Sequence, residues 1–359
     1  MGPDRRAGAG RGARLRAPPR VGPDQRRGGG EALSTPVVTG DAPSDLHAIG
    51  PGGHRGDRVF QGVTTSVAAG VLVVLLVMTA FLLTRAWPAA RTAGLDFLTE
   101  REWFPDATPA RFGIAALLWG TVVSSVFALA LAVPIALGSA LYVTEYARPA
   151  VGRWIGHLVD VLAAVPSVVY GLWGLLFLVP RMVPLQRFLA DHLGFVPFFD
   201  NPDGVYGKSV FAASVVLALM VLPIVAAVSR EVFRQVPDEL REAALALGAT
   251  RWEMVRTAVL PTSRSGVIGA VILGLGRALG ETIAVALVLA ATFDVNVHIL
   301  RPGGNTIAAN IATKFGEAGE IGRSALIASG LVLFAITLAA TVAARGVIRR
   351  TGRAAAGAP

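Results

Sequence analysis

Two residues of opposite charge, Arg277 and Glu281, lie inside a largely apolar stretch that reads GLGRALGETIAVALVLA. They are four residues apart, so on a continuous helix they would share one face. A charge near the middle of a bilayer costs about 2.5–3.5 kcal/mol on insertion scales, which makes such a residue a candidate for function. Arginine presents a planar, permanently charged set of donors that suits oxyanions. The pair therefore predicts a site on an anion pathway, where Glu281 holds Arg277 in place; the alternative is an ion pair that only joins helices.

The composition around this pair indicates that most of the chain lies in a membrane. Of the 359 residues, 53% are hydrophobic and 16% are charged, whereas soluble domains carry about 25% charged residues. A spanning helix needs about 20 apolar residues, and six segments qualify. They run at 63–83, 112–142, 158–180, 209–229, 265–291 and 324–344. We therefore expect an all-α membrane protein with six transmembrane helices.

Proline and glycine interrupt two of these segments. Pro134 in the second segment predicts a kink or tilt. The third segment holds Pro166, Gly171 and Gly174, and a broken helix is tolerated in a membrane only where protein or a cavity satisfies its backbone. We therefore expect the third segment near the bundle interior, and we expect the small residues of the second, fifth and sixth segments to allow close helix packing.

The basic residues predict the orientation of the chain. If the N-terminus is inside, 22 of the 33 Lys and Arg residues fall in inside segments and 10 in outside loops. Because inside loops of membrane proteins carry the excess of Lys and Arg, both termini are expected in the cytoplasm. The first 58 residues are rich in Gly, Pro and Arg, a composition typical of a disordered tail. The net charge of +9 is then explained by topology, and nucleic-acid binding is disfavoured.

The loop between the fourth and fifth segments, 237–261, carries two short helical patterns. Pro237 suits a first helical turn, apolar residues then recur at helical spacing, and Gly248 predicts the helix end. Thr250 and Glu253 form a capping-box pattern for a second helix, which Leu260-Pro261 is expected to close. Such amphipathic helices need a partner for their apolar faces, so the loop predicts a docking element for a cytoplasmic protein; the alternative is a pair of helices lying on the membrane.

The same loop resembles the EAA loop of type I ABC importer permeases, which have the MetI-like fold. The resemblance rests on Glu242-Ala243-Ala244, on Gly248 and on Leu260-Pro261, with a departure at Ala258, where the family often has Ile. It implies that the helix bearing Glu242 sits in a cleft of a separate ATPase subunit and that Gly248 makes the turn.

The fifth segment resembles the phosphate-importer permeases of the PstC type. GRALGETIAV carries this resemblance, together with VPSVVYG at 165–171 and NTIAA at 305–309. It implies that Arg277 and Glu281 act in transport. It also implies a companion permease of the PstA type, a dimer of ATP-binding subunits and an extracytoplasmic phosphate-binding protein.

This resemblance covers about residues 60–348 and suggests four divisions of the chain. They are a basic cytoplasmic tail at 1–58, the first transmembrane helix with its external loop at 59–111, an importer transmembrane domain at 112–348, and a short cytoplasmic tail at 349–359. The importer domain would include the coupling loop 237–261.

Other kinds of site find little support in the sequence. The string GVYGKS at 204–209 ends like a phosphate-binding loop, but Pro202 stands where that loop needs Gly. Five scattered His residues and no Cys give no metal-ligand spacing and no disulfide. We expect no cofactor in this chain, with ATP hydrolysed by a partner. A lipid-modifying membrane enzyme is disfavoured, whereas a permease for sulfate, molybdate or a phosphonate, or a membrane scaffold or sensor, stays open.

Overall fold

The computed structural model describes residues 55–356, and side chains are described for residues 56–346. The described part is helical apart from one hairpin. The helices are α1 (Arg55–Ala93), α2 (Asp96–Thr99), α3 (Ala115–Leu141), α4 (Pro149–Ala164), α5 (Ser167–Trp173), α6 (Val179–Leu193), α7 (Val210–Arg234), α8 (Asp238–Ala246), α9 (Arg251–Met254), α10 (Leu260–Gly280), α11 (Ile283–Val288), α12 (Ile307–Lys314) and α13 (Glu320–Ala356). The hairpin pairs β1 (Trp103–Phe104) with β2 (Arg111–Phe112) in antiparallel register.

Six helical stretches of the described residues are long and apolar enough to cross a membrane, which confirms the expected fold class. They are Gly56–Ala93, Ala115–Tyr146, Ser167–Leu193, Val210–Arg234, Arg251–Gly280 and Glu320–Gly346. Both predicted tails lie partly outside the described residues, at 1–54 and 357–359. Within the described part, α1 already begins at Arg55, and α13 continues to Ala356.

Three π-helical turns join helices into longer spans. Tyr142–Tyr146 extends α3, Gly174–Leu178 joins α5 to α6, and Val255–Val259 joins α9 to α10. The prediction that Leu260-Pro261 closes the second short helix is wrong, because Pro261 falls in the first turn of α10 directly after a π turn. Proline is tolerated at that position, since the first N–H groups of a regular helix have no intrahelical acceptor.

The third span lies further along the chain than the sequence predicts. The chain is not helical at Val165-Pro166, so α4 is a separate helix and the span begins at Ser167. Gly171 and Gly174 are buried, and a Cβ on Gly174 would lie 2.8 Å from the Val216 side chain of α7. The glycine face of the third span therefore packs against the bundle, but only 22% of its most apolar stretch is buried, so the expected interior position holds for that face alone.

Helix α7 forms the centre of the bundle. Its most apolar stretch is 72% buried, whereas that of α1 is fully exposed and offers its surface to lipid. Small residues let the neighbouring helices approach α7. Ala128, Ala132 and Ala136 of α3 are completely buried, and a Cβ on Gly274 of α10 would come within 2.8 Å of Val221. This close packing fixes α10, which carries Arg277, against α3 and α7.

Candidate functional site

A break in the fifth span separates Arg277 from Glu281. Helix α10 ends at Gly280, Glu281 adopts extended backbone angles (φ −68°, ψ 127°), and α11 begins only at Ile283. The Thr282 hydroxyl donates to the Gly280 carbonyl at 3.0 Å, which satisfies one acceptor at the interrupted end. Irregular backbone inside a membrane must be buried in protein or line a cavity. At this break Glu281 is buried, whereas Gly280 and Ile283 are exposed, which suits the edge of a cavity.

The expected contact between Arg277 and Glu281 is absent, so Glu281 does not hold Arg277 in place and the alternative, an ion pair, does not form either. The two residues do not share one helix face, and they form no salt bridge among those of the described residues. Arg277 occupies the last turn of α10, where the helix dipole favours a cation. The Glu281 side chain instead accepts a hydrogen bond at Oε1 from the Ala284 N–H at 3.3 Å. Each charge is thus stabilised by its own helix end.

The Arg277 side chain has a donor, Nε, that forms no hydrogen bond within the described residues. The residue is half-buried, and its Nε is buried without a hydrogen-bond partner among the described residues. Burying an unpaired donor is unfavourable, and more so for a charged group. A guanidinium in this condition can bind an anionic or carbonyl oxygen that is brought to the break.

The helix that follows the break at Val165-Pro166 packs against the helix that follows the break at Glu281. Helices α5 and α11 pack so closely that a Cβ on Gly171 would lie 2.6 Å from the Ala284 Cα. One residue earlier, the Tyr170 hydroxyl donates to the Leu162 carbonyl at 3.0 Å. Tyr170 was not predicted as a site residue, although its position four residues after Pro166 gave a usable signal.

The coupling loop forms the first predicted short helix as α8, whereas α9 is the first turn of the continuous stretch Arg251–Gly280. Gly248 has φ +87°, in the left-handed region that glycine adopts readily, and it follows the end of α8 as predicted. The Thr250–Glu253 capping box is present in full. Pro237 lies one residue before α8 begins.

One face of α8 is exposed and the other is packed. Glu242 and Ala243 are exposed, whereas Ala244 packs against a buried cluster that includes Phe233 and Met254. Large apolar side chains also reach solvent here: Leu240, Leu245, Leu247 and Trp252 are 43%, 44%, 90% and 58% exposed. An exposed apolar surface of this kind, next to a charged residue, is typical of a protein contact.

The other polar residues that could act chemically do not form a second site among the described residues. Among residues 55–356 there is no group of three metal-ligating side chains. The Gln186 side chain of α6 holds the loop before α7. It accepts a hydrogen bond from the Gly207 N–H at 3.0 Å and donates one to the Gly207 carbonyl at 3.1 Å. Asp160 is half-exposed and forms a salt bridge with Arg230 at 2.9 Å.

Comparisons with known proteins agree on one class of protein. Residues 132–353 match the family described as binding-protein-dependent transport system inner membrane component. A Mycobacterium tuberculosis protein named phosphate transport system permease protein PstC 2 is 43% identical over 297 residues, covering 82% of this chain and 92% of the relative. A Xylella fastidiosa protein named phosphate transport system permease protein PstC is 41% identical over 313 residues, covering 84% and 95%.

The fold is also found in a solved transporter. A chain of the bacterial alginate ABC transporter, crystallised with an alginate pentasaccharide-bound periplasmic protein, superposes with a TM-score of 0.55 at 15% identity. The match covers 82% of this chain and 96% of that chain. At this identity the likeness concerns the fold alone.

Proposed function

Because this chain belongs to the family of binding-protein-dependent transport system inner membrane components, we propose that it is a permease subunit of an ATP-driven importer of inorganic phosphate. The names of its relatives, at 41–43% identity over most of both chains, support the substrate. The six apolar helices support a multi-pass membrane location.

The observation that carries the proposal is the half-buried guanidinium of Arg277 beside the break in the fifth span, which forms no salt bridge or hydrogen bond with the described residues. An importer of phosphate needs a donor that favours an oxyanion over water while the site is closed to both sides. Arginine forms strong, often bidentate hydrogen bonds with phosphate. In this proposal Arg277 receives phosphate transiently as the permease switches between outward-facing and inward-facing states.

Glu281 has a different part in the proposal. Its carboxylate is 8% exposed and is bound to the start of α11, so its negative charge stays close to the phosphate path. A fixed negative charge weakens the binding of an anion in its vicinity. Glu281 therefore prevents the site from trapping phosphate, and it does so without pairing with Arg277.

ATP hydrolysis is assigned to a separate subunit. Its docking surface is the exposed face of α8, with Glu242 and Ala243, together with the turn at Gly248. Leu260 and Pro261, at the start of α10, connect this loop to the fifth span. We place this surface and both termini in the cytoplasm, following the distribution of basic residues. A companion permease of the PstA type, a dimer of ATP-binding subunits and an extracytoplasmic phosphate-binding protein complete the importer. The chain itself needs no cofactor for this role.

The experiment is uptake into vesicles that contain the reconstituted complex, driven by ATP on the cytoplasmic side. Phosphate is tested against sulfate, each with its own binding protein. The proposal predicts ATP-dependent uptake of phosphate and none of sulfate. Uptake of sulfate alone would assign another oxyanion. A complex that binds its ATPase but moves neither anion would favour a scaffold or sensor.

A further inference from the structure

The guanidinium of Arg241, in α8, joins three elements at the end of the bundle. Its Nη2 donates to the Glu145 carboxylate at 3.1 Å and to the Phe233 carbonyl at 2.7 Å. Its Nη1 donates to Asp238 Oδ1 at 2.8 Å and to the Val236 carbonyl. The Phe233 carbonyl lies in the last turn of α7, and the Val236 carbonyl lies in the short link between α7 and α8. One side chain thus ties α8 both to α7 and to the π turn that ends α3.

The contact with Glu145 is the buried one. The side chains of Arg241 and Glu145 are 15% and 5% exposed, whereas that of Asp238 is 86% exposed. Removing one partner of a buried ion pair leaves an uncompensated charge, while an exposed pair contributes little. The pair of Arg241 with Glu145 therefore matters more to this contact than the pair of Arg241 with Asp238.

The second short helix of the loop reaches the same turn. Arg251 Nη1 donates to the backbone carbonyl of Glu145 at 3.3 Å. Met254 and Val255 pack beneath it in the buried cluster that also holds Ala140 of α3. Both short helices therefore contact the turn Tyr142–Tyr146, a π-helical element of the kind that often occurs at functional sites.

From this turn, packed elements lead to Arg277. Helix α10 lies against both α3 and α7. A Cβ on Gly274 of α10 would be 3.6 Å from Leu129 of α3 and 2.8 Å from Val221 of α7. Gly274 is three residues before Arg277, on the same helix. Close-packed interiors move as units because they have no free space to absorb a displacement.

We propose that the Arg241–Glu145 ion pair is a clamp that makes α3 move together with α8, so that the ATPase cycle reaches the Arg277 segment through the second span. This inference rests on the proposed function, in which α8 docks on the ATPase. Arg241 and Glu145 are then positioning residues, which act on the transport site only through α3 and α10.

The first test measures phosphate taken up per ATP hydrolysed by the reconstituted complex. Glu145→Gln removes the charge at nearly constant shape, and Glu145→Asp keeps the charge but shortens its reach. Both are expected to lower the ratio about fivefold, within the range reported for residues that carry coupling between sites, while ATP hydrolysis continues. Glu231→Gln is the control, since Glu231 is exposed near the same end of α7. An unchanged ratio in either clamp variant overturns the inference, as does failure of both variants to assemble.

The second test does not depend on the transported substrate. The chain has no cysteine, so spin labels can be placed at Ala246→Cys of α8 and Val126→Cys of α3, two exposed positions. The distance between the labels is expected to stay constant through the nucleotide cycle and to become variable with Glu145→Gln. A distance that changes with nucleotide in the otherwise unaltered chain contradicts the clamp. A constant distance without phosphate uptake contradicts the substrate and leaves the clamp supported.

Discussion

The Tyr170 hydroxyl donates to the Leu162 carbonyl at 3.0 Å, across the break between α4 and α5. In a regular helix this carbonyl would accept from the N–H of residue 166, but Pro166 has none. The Val165 N–H approaches the same carbonyl at 3.3 Å. The Leu162 carbonyl therefore accepts from both the Val165 N–H and the Tyr170 hydroxyl, and the hydroxyl takes the place of the donor that proline lacks.

Replacing Tyr170 with Phe tests the role of this hydroxyl. The ring is kept and the Leu162 carbonyl loses its hydroxyl donor, so we expect the complex to lose about 0.5–1.5 kcal/mol of stability, the net value of one hydrogen bond, and phosphate uptake to fall. The measurements are thermal unfolding in detergent and uptake in vesicles. Tyr142→Phe is the matched control, because Tyr142 is 50% exposed. Equal behaviour of the two variants would show that the hydroxyl of Tyr170 has no special role.

Two replacements of Glu281 distinguish its role as a hydrogen-bond acceptor at the start of α11 from the role of its negative charge. Glu281→Gln keeps an oxygen that accepts from the Ala284 N–H, so the melting temperature should match that of the unaltered chain. Glu281→Ala loses the acceptor and should cost about 0.5–2 kcal/mol, the value of a helix cap. In the Gln variant, phosphate uptake should slow while phosphate binding strengthens, since the repelling charge is gone. Faster uptake by the Gln variant would contradict the role given to the carboxylate.

The contact between α5 and α11 leaves no room for a methyl group at Gly171. A Cβ there would lie 2.6 Å from the Ala284 Cα, so Gly171→Ala should separate the two breaks and cost about 1–3 kcal/mol by overpacking. Gly269→Ala is the control, because nothing lies within 4 Å of its added Cβ. We expect uptake and melting temperature to fall for the first variant only. A Gly171→Ala variant with full uptake would mean that the contact between these helices is dispensable.

The turn after α8 depends on the left-handed backbone of Gly248. At φ +87°, alanine is strained by about 1–2 kcal/mol, so Gly248→Ala should loosen the loop and weaken binding of the ATPase. Co-purification of the ATP-binding subunit is the measurement. Gly138→Ala on α3 is the control, because nothing lies within 4 Å of a Cβ added there. Undiminished co-purification would place the docking surface elsewhere.

The sequence predicted the features that depend on local patterns. Six apolar segments, the turn at Gly248 and the Thr250–Glu253 capping box all follow from neighbouring residues, and all are present. The break at Glu281 was missed because apolar residues continue past it at helical spacing. Only the tertiary structure shows that α10 stops at Gly280, with α11 set against α5.

Contacts between distant residues account for the rest of what was missed. Arg241 and Glu145 are 96 residues apart, and no periodicity in the sequence relates them. The pairing of Arg277 with Glu281 was predicted from a four-residue spacing that holds only on an unbroken helix. The structure brings each of these charges to a different helix end, so the spacing predicted a contact that the structure does not have.

The role of Arg277 is tested most directly by phosphate uptake in the complex that carries Arg277→Gln. Glutamine is uncharged and cannot form the bidentate, charge-assisted bonds that arginine makes with phosphate. Arg264→Gln, an exposed position on the same helix, is the control. We predict that Arg277→Gln abolishes uptake, that assembly and ATPase binding stay intact, and that Arg264→Gln transports normally. Undiminished phosphate uptake by the Arg277→Gln complex would contradict the account.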